Sequence, residues 1–95
     1  MEKLVIIPTF NEKENIEKII DAVIGLRSGY HLLIIDDNSP DGTADIIDAL
    51  IPKYPGQLFL EKRIGKLGLG TAYIHGFRWA LEKGYRFIFE MDADF

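Results

Sequence analysis

The feature that most constrains the fold is an alternation of short apolar runs with longer segments of helical periodicity. The runs 4–7 and 32–35 are continuously apolar, which is typical of strands buried on both faces of a sheet. Between them, apolar side chains recur at helical spacing over residues 12–26. A weaker third strand at 57–60 and a fourth strand at 87–91 continue the alternation. The order β-α-β-α-β-α-β predicts an α/β fold with a parallel sheet and right-handed crossovers.

Local signals predict where the helices begin and end. Asn11 followed by Glu14 has the spacing of a capping box, so the first helix is expected to begin there. A second helix is expected near 44–50. The third helix is expected over 71–83, with Gly84 ending it. Its predicted core residues are Ala72, Phe77, Ala80 and Leu81.

Composition excludes several classes of protein. A chain of 95 residues allows one small domain, and 47% hydrophobic residues are ample for a packed core. The net charge of −4 argues against a nucleic-acid partner, because such proteins usually carry a basic excess. The absence of cysteine excludes disulfides and thiolate metal sites and suits the cytoplasm. No signal peptide or membrane-spanning run is visible in the sequence, so we expect any membrane attachment to occur by surface contact.

The predicted topology brings three polar loops to one edge of the sheet. In open parallel sheets, ligands bind outside the carboxyl ends of the strands, where the winding direction reverses. If the fourth strand lies on the far side of the first, the loops 8–12, 36–38 and 92–94 meet at that reversal. We therefore expect a binding site there.

Two acidic side chains follow the last apolar run. Asp92 and Asp94 are hard oxygen ligands one residue apart, a pattern suited to Mg²⁺ or Mn²⁺ with a bound diphosphate. Acidic pairs also occur simply as turn residues, so the position of this pair at the sheet edge carries the prediction. A metal-binding loop is an unusual place for a domain to end, and we expect the chain to be the front part of a longer protein.

The remaining polar motifs have competing interpretations. Asp37 follows a buried strand, and we predict that it bonds a nucleobase or ribose rather than only starting a turn. Glu12 is placed to face the same ligand. The turn over 8–12 contains no glycine, which argues against a dinucleotide site of the Rossmann type. The glycines at 65–70 do not have the spacing of a Walker phosphate loop.

Four segments together resemble a known family. They are IIPTFNE at 6–12, IDDNSPDGT at 35–43, KLGLGTAY at 66–73 and MDAD at 91–94. In this order they resemble the inverting glycosyltransferases of family 2, and within that family the polyprenyl-phosphate (dolichol-phosphate) mannosyltransferases. The second and third segments are more specific than an Asp-x-Asp pair alone.

The resemblance implies a GT-A fold, with residues 1–95 as its N-terminal nucleotide-sugar-binding half. It also implies a GDP-mannose donor, an Mg²⁺ or Mn²⁺ cofactor, and a polyprenyl phosphate acceptor at the cytoplasmic face of a membrane. Catalytic and metal-binding roles are implied for Asp92 and Asp94. The implied nucleotide-sugar-binding residues are Pro8, Phe10, Glu12, Ile35, Asp37, Asp92, Ala93 and Asp94.

The implied chemistry is compatible with the residues present. A divalent ion would stabilise the charge that develops on a departing diphosphate. A phosphate acceptor is already an anion and needs less help from a general base than a hydroxyl does. We expect the chain by itself to bind the donor with little or no transfer. The fourth strand would be an exposed edge, so self-association across it is a further expectation.

Three alternatives remain open from the sequence. The chain could be a non-catalytic nucleotide-binding or scaffolding fragment. A haloacid-dehalogenase-like phosphotransferase also uses Asp-x-Asp, although that motif normally follows the first strand rather than the fourth. A receiver-type signalling domain places its acidic pair after the first strand, whereas residues 36 and 37 follow the second.

Overall fold

The computed structural model describes residues 3–25, 29–65 and 68–93. The predicted alternation of strands and helices is confirmed. The elements are β1 (Lys3–Thr9), α1 (Ile16–Ile24), β2 (Tyr30–Asp36), α2 (Thr43–Leu50), a short 3₁₀ turn (Ile51–Lys53), β3 (Leu58–Lys62), α3 (Leu69–Glu82) and β4 (Phe87–Glu90).

The four strands form one parallel sheet in the order β3-β2-β1-β4. This is the predicted topology, with β4 returning to the far side of β1. In register, Thr9 pairs with Asp36 of β2, and Ile6 pairs with Glu90 of β4. The winding direction therefore reverses at β1, and the loops that follow β1, β2 and β4 share one edge.

Helices α1 and α2 cover one face of the sheet. Alternate strand residues, including Val5, Ile7 and Ile34, pack there against the isoleucines of α1. The buried side chains of α1 are Ile16, Ile19, Ile20, Val23 and Ile24, the helical periodicity recognised in the sequence. The apolar stripe of α1 therefore seals this face.

Helix α3 covers the other face with small side chains. Ala72 and Ala80 are fully buried, and Gly76 lies between them at the same helical spacing. A Cβ atom on Gly76 would stand 2.7 Å from Cγ2 of Ile6, so the helix approaches β1 more closely than any larger residue allows. The prediction that Leu81 belongs to the core is wrong, because its side chain is 68% exposed. The core contact of α3 follows the small residues, and Leu81 lies outside that stripe.

The predicted start of the first helix is also wrong. Helix α1 begins at Ile16, with Asn15 as its N-cap, rather than at residue 12. Asn11 adopts a left-handed conformation with φ of 55° and does not cap the helix. Gly84, with φ of 85°, does follow the end of α3 as predicted. The residues before α1 belong instead to a loop that is bonded across the sheet edge.

Within the described ranges, every helix is too short or too polar to cross a membrane.

Candidate functional site

The loops after β1 and β2 are joined by hydrogen bonds. Three consecutive main-chain N–H groups in the first loop donate to side chains in the second. The bonds run from Asn11 to Oγ of Ser39 (2.9 Å), from Glu12 to Oγ1 of Thr43 (3.0 Å) and from Lys13 to Oδ2 of Asp41 (3.2 Å). These bonds hold the first loop against the second, and the left-handed φ of 55° at Asn11 is not the usual conformation of an N-cap, so α1 begins later, at Ile16.

Asp41 is the acidic member of this loop pair. Burial by itself raises the pKa of Asp41, but hydrogen bonds from Thr43 and from the Lys13 N–H group outweigh that effect. The pKa of Asp41 consequently lies below its usual value. The carboxylate form is the one that stabilises the loops.

Asp36 is a structural acid. It is fully buried, and its Oδ1 accepts hydrogen bonds from Oγ1 of Thr9 (2.7 Å) and from the hydroxyl of Ser39 (2.7 Å). Its Oδ2 accepts from the main-chain N–H of Ser39 (3.0 Å). These bonds join the ends of β1 and β2, so Asp36 has an internal structural function.

Asp37 lies on the opposite side of the chain from Asp36 and bonds an arginine. Its main-chain N–H donates to the carbonyl of Thr9 (3.1 Å). Its carboxylate accepts from Nε of Arg63 (2.6 Å) and from Nη2 of the same residue (2.9 Å). The Arg63 guanidinium therefore pairs with the buried Asp37 carboxylate at the sheet edge.

Asp92 is the exposed acid of the site. It follows β4, and its Oδ1 accepts a hydrogen bond from the hydroxyl of Tyr73 (3.0 Å). Within the described chain, Oδ2 of Asp92 accepts no hydrogen bond. Burial, followed by the bond to Asp92, raises the pKa of Tyr73 to about 12, so this phenol remains a donor at neutral pH.

Tyr73 and Arg63 were missed by sequence reasoning. Tyr73 belongs to the segment 66–73 on which the family resemblance rests, and that was the one available signal. Nothing local to the sequence links Arg63 with Asp37, which lies 26 residues earlier.

The other residues predicted to bind the nucleotide sugar differ in how exposed their side chains are. The side chains of Pro8 and Ile35 are buried, so any ligand contact from either would come from the main chain. Phe10 and Glu12 are half-buried beside the site. Ala93 is also half-buried and packs against the core on the α1 side. Asp94 and Lys66 lie outside the described residues.

The two acids predicted to face a ligand, Asp37 and Asp92, flank the end of β1. Strands β2 and β4 are separated by two interstrand spacings of ~4.8 Å, or about 10 Å. Side chains alternate along strands, and Ile35 and Ile88 both pack on the α3 side. By the same alternation, Asp37 and Asp92 project toward α3. Asp37 bonds Arg63 in the loop before that helix, and Asp92 bonds Tyr73 near the start of the helix.

A divalent cation would rely on few protein ligands. No three His, Cys, Asp or Glu side chains converge within the part of the chain that the structure describes. Mg²⁺ commonly binds through one or two carboxylates together with substrate phosphates and waters. Asp92, whose Oδ1 accepts the bond from Tyr73, is the predicted ligand for one such position, and Asp94 is the predicted second.

Comparison with known proteins gives a consistent result. The sequence model of the family described as glycosyl transferase family 2 matches residues 4–95. The polyprenol monophosphomannose synthase of Mycolicibacterium smegmatis is 46% identical over 91 residues, covering 96% of this chain and 34% of that protein. The undecaprenyl-phosphate mannosyltransferase of Micrococcus luteus is 45% identical, covering 99% of this chain and 38% of that protein. The dolichol-phosphate mannosyltransferase of Pyrococcus furiosus is 38% identical, covering 99% and 26%.

Solved structures share the fold. The mannosyltransferase PcManGT from Pyrobaculum calidifontis, in complex with GDP-Man and Mn²⁺, superposes with a TM-score of 0.73 at 27% identity, covering 81% of this chain and 24% of that one. The TarS 1–349 structure from S. aureus gives a TM-score of 0.73 at 21% identity, covering 99% and 28%, which supports the fold alone. The chain spans about a third of the length of the curated relatives that it matches.

Proposed function

This chain belongs to glycosyl transferase family 2, and from that premise we propose that residues 1–95 are the nucleotide-sugar-binding part of a polyprenyl-phosphate mannosyltransferase. The proposed donor is GDP-mannose and the proposed acceptor is a polyprenyl phosphate. Both are proposals for the whole protein, because the chain spans about a third of its curated relatives. The alternatives based on haloacid dehalogenases and receiver domains have no support from the family match.

One observation carries the proposal. Asp37 and Asp92 follow the two strands on either side of β1, and both project toward α3. A ligand lying across the end of β1 would meet one acid at each end. This arrangement suits an elongated molecule with a base or ribose at Asp37 and a diphosphate with its cation at Asp92.

The choice of donor is supported by similarity. PcManGT, whose structure contains GDP-Man and Mn²⁺, shares the fold at 27% identity. Three curated relatives are named for mannose transfer or synthesis of a mannosyl phospholipid. We assign the nucleoside contacts to Phe10, Glu12 and Asp37, with main-chain contacts from Pro8 and Ile35.

The diphosphate end is assigned to residues 92–94. A bound Mg²⁺ or Mn²⁺ supplies Lewis-acid stabilisation of the departing diphosphate. Asp92 and Asp94 are the proposed carboxylate ligands, and Tyr73 orients the first of them through its hydroxyl. Attack by an acceptor phosphate on the sugar from the face opposite the leaving group would give inversion, and an anionic acceptor needs no strong base.

The proposed setting is the cytoplasmic face of a membrane, where a polyprenyl phosphate would be presented. Among the described residues, β4 is an edge strand of the sheet, and it carries Phe87 and Phe89, which are 48% and 44% exposed. Self-association of this chain through that edge is part of the proposal. Sedimentation velocity should reveal a dimer that Phe89→Lys abolishes, and a wild-type chain that is strictly monomeric would contradict it.

Calorimetric titration of the chain tests the donor assignment. GDP and GDP-mannose should bind with an affinity that rises when Mn²⁺ is added, and UDP should bind more weakly. Asp92→Asn should remove the Mn²⁺ effect, whereas Asp48→Asn should not, because Asp48 lies on α2 in an exposed pair with Lys62. No binding of any nucleotide would favour a purely structural fragment.

A radiolabelled transfer assay should show little or no turnover by the chain alone.

A further inference from the structure

Arg63 follows β3 and is bonded to two other parts of the site. Among the described residues, its guanidinium donates four hydrogen bonds. Two go to Asp37, one to Oγ1 of Thr71 (3.0 Å) and one to the carbonyl of Gly68 (3.2 Å). Its main-chain N–H donates to the carbonyl of Asp36 (2.8 Å). Arg63 thus joins the end of β2 to the first turn of α3.

The ion pair of Arg63 and Asp37 is buried, in contrast to the neighbouring ion pair of Lys62 and Asp48. The side chains of Arg63 and Asp37 are 7% and 8% exposed, whereas those of Lys62 and Asp48 are 56% and 49% exposed. Taking two charges out of water is costly, and a buried pair is often no more stabilising than apolar residues of the same size. Fold stability alone is therefore a weak reason for an ion pair at this position.

The geometry of the pair determines how Asp37 can meet a ligand. A carboxylate has two oxygens with about four acceptor directions, and the guanidinium fork takes one on each oxygen. The fork fixes the plane of the carboxylate. The outward acceptor directions of the two oxygens diverge, so a flat base edge can approach only one oxygen in that plane.

We propose that Arg63 is a positioning residue for nucleobase recognition, which acts by holding the Asp37 carboxylate in one orientation at the edge of the sheet. The inference rests on the proposed function, because it takes Asp37 as the acid that meets the base. Arg63 makes its contribution through Asp37, and the diphosphate end of the site does not depend on it.

A purely structural role for Arg63 predicts a different result. Arg63 also contacts the first turn of α3, and α3 carries Tyr73, which bonds Asp92. If Arg63 served only to place α3, its loss would disturb both ends of the site equally. Binding of a ligand without a base separates the two roles.

The test compares Mn²⁺-dependent binding of GDP and of inorganic pyrophosphate by calorimetry. Arg63→Lys keeps the charge but cannot form the planar fork. We expect it to weaken GDP binding about tenfold, the lower end of what orienting partners contribute at metal sites. Pyrophosphate binding should change less than about twofold. Lys62→Gln, one residue earlier on β3, is the matched control and should leave both ligands unaffected.

Each outcome decides between these roles. Equal weakening of GDP and pyrophosphate would show that Arg63 only places α3 and would overturn the inference, as would an Arg63→Lys variant with unchanged GDP affinity. A wild-type chain that binds no GDP with Mn²⁺ would overturn the proposed function, and the inference with it.

A second variant is available if circular dichroism shows that Arg63→Lys does not fold. Thr71→Val removes one of the bonds that orient Arg63. That variant should weaken GDP binding about threefold with no change for pyrophosphate.

Discussion

The two sides of the candidate site differ in how firmly their acids are fixed. On the β2 side, Asp36 and Asp37 are 0% and 6% exposed, and every carboxylate oxygen accepts a hydrogen bond from a described residue. On the β4 side, Asp92 is exposed and, among the described residues, accepts one hydrogen bond, from Tyr73. The β2 side is therefore rigid before any ligand arrives, whereas the β4 side has one contact that orients its acid.

The difference corresponds to the ligands proposed for each side. A base is flat and directional, and recognising it requires donors and acceptors that are already in position. A cation with a diphosphate brings its own charge and can order exposed carboxylates when it binds. The asymmetry thus fits the proposal that one sheet edge serves both kinds of recognition.

Replacing the most buried acid should have the largest effect. Asp36→Ala leaves the hydroxyls of Thr9 and Ser39 without their acceptor, and each buried group left unsatisfied costs ~1–3 kcal/mol. We expect the free energy of unfolding to fall by about 3 kcal/mol in urea titrations. Asp92→Ala should change it by less than ~0.5 kcal/mol, because Asp92 is exposed. Similar losses from the two variants would disprove the contrast between the two sides.

Displacing α3 should disturb both sides together. In Gly76→Ala, the new methyl group would stand 2.7 Å from Cγ2 of Ile6, and such overpacking costs about 2 kcal/mol. The helix would move away from β1, taking Thr71 and Tyr73 with it. Thermal unfolding should show the loss, and binding of both GDP and pyrophosphate should weaken.

Another glycine of the same helix is the control for that prediction. A Cβ atom on Gly70 meets nothing within 4 Å, so Gly70→Ala should change stability by less than about 1 kcal/mol. If the two alanine variants are equally stable, the close approach of α3 to β1 does not contribute to stability as predicted.

The β4 side alone should respond to Tyr73→Phe. Loss of the hydroxyl removes the hydrogen bond that orients Asp92, and we expect Mn²⁺-dependent GDP binding to weaken by up to about tenfold. Binding without Mn²⁺ should be unchanged. Tyr85→Phe, which removes a hydroxyl bonded to His31 at the amino end of β2, should affect neither measurement. Equal responses of the two variants would mean that Tyr73 has no specific effect on Asp92.

The alternation of strands and helices in a parallel sheet could be predicted from apolar runs and general rules of winding. The meeting of the polar loops followed once the fourth strand was assumed to lie on the far side of the first, and the structure has that order. The alternation of side chains along a strand also predicts that Asp36 and Asp37 point to opposite faces of the sheet. Ile34 and Ile35, two residues earlier, do pack on opposite faces. The contacts of Arg63 and Tyr73 were not predictable in this way. They join distant segments, and no local period of the sequence encodes them.

The start of α1 was mispredicted for a related reason. The capping signal at Asn11 is local, whereas the donors of residues 11–13 are satisfied across the sheet edge by the loop after β2. Tertiary hydrogen bonds therefore override a sequence pattern that would be sufficient in an isolated helix. The same loop pair makes the β2 side rigid.

The smallest expected effect concerns this loop pair and depends on pH. The pKa of Asp41 is lowered in the folded state, so the stability that it contributes is present above the pKa of the unfolded chain and is lost as pH falls through the folded value. Asp41→Asn should be less stable than wild type at pH 7 by under ~1 kcal/mol, and the difference should shrink between about pH 5 and pH 2. Ala44→Gly, which alters α2 without adding or removing a titrating group, should keep a constant difference from wild type over that range. If the Asp41→Asn difference is also constant, the carboxylate of Asp41 does not stabilise the loops, and the rigidity of the β2 side must come from the uncharged hydrogen bonds to Ser39 and Thr43.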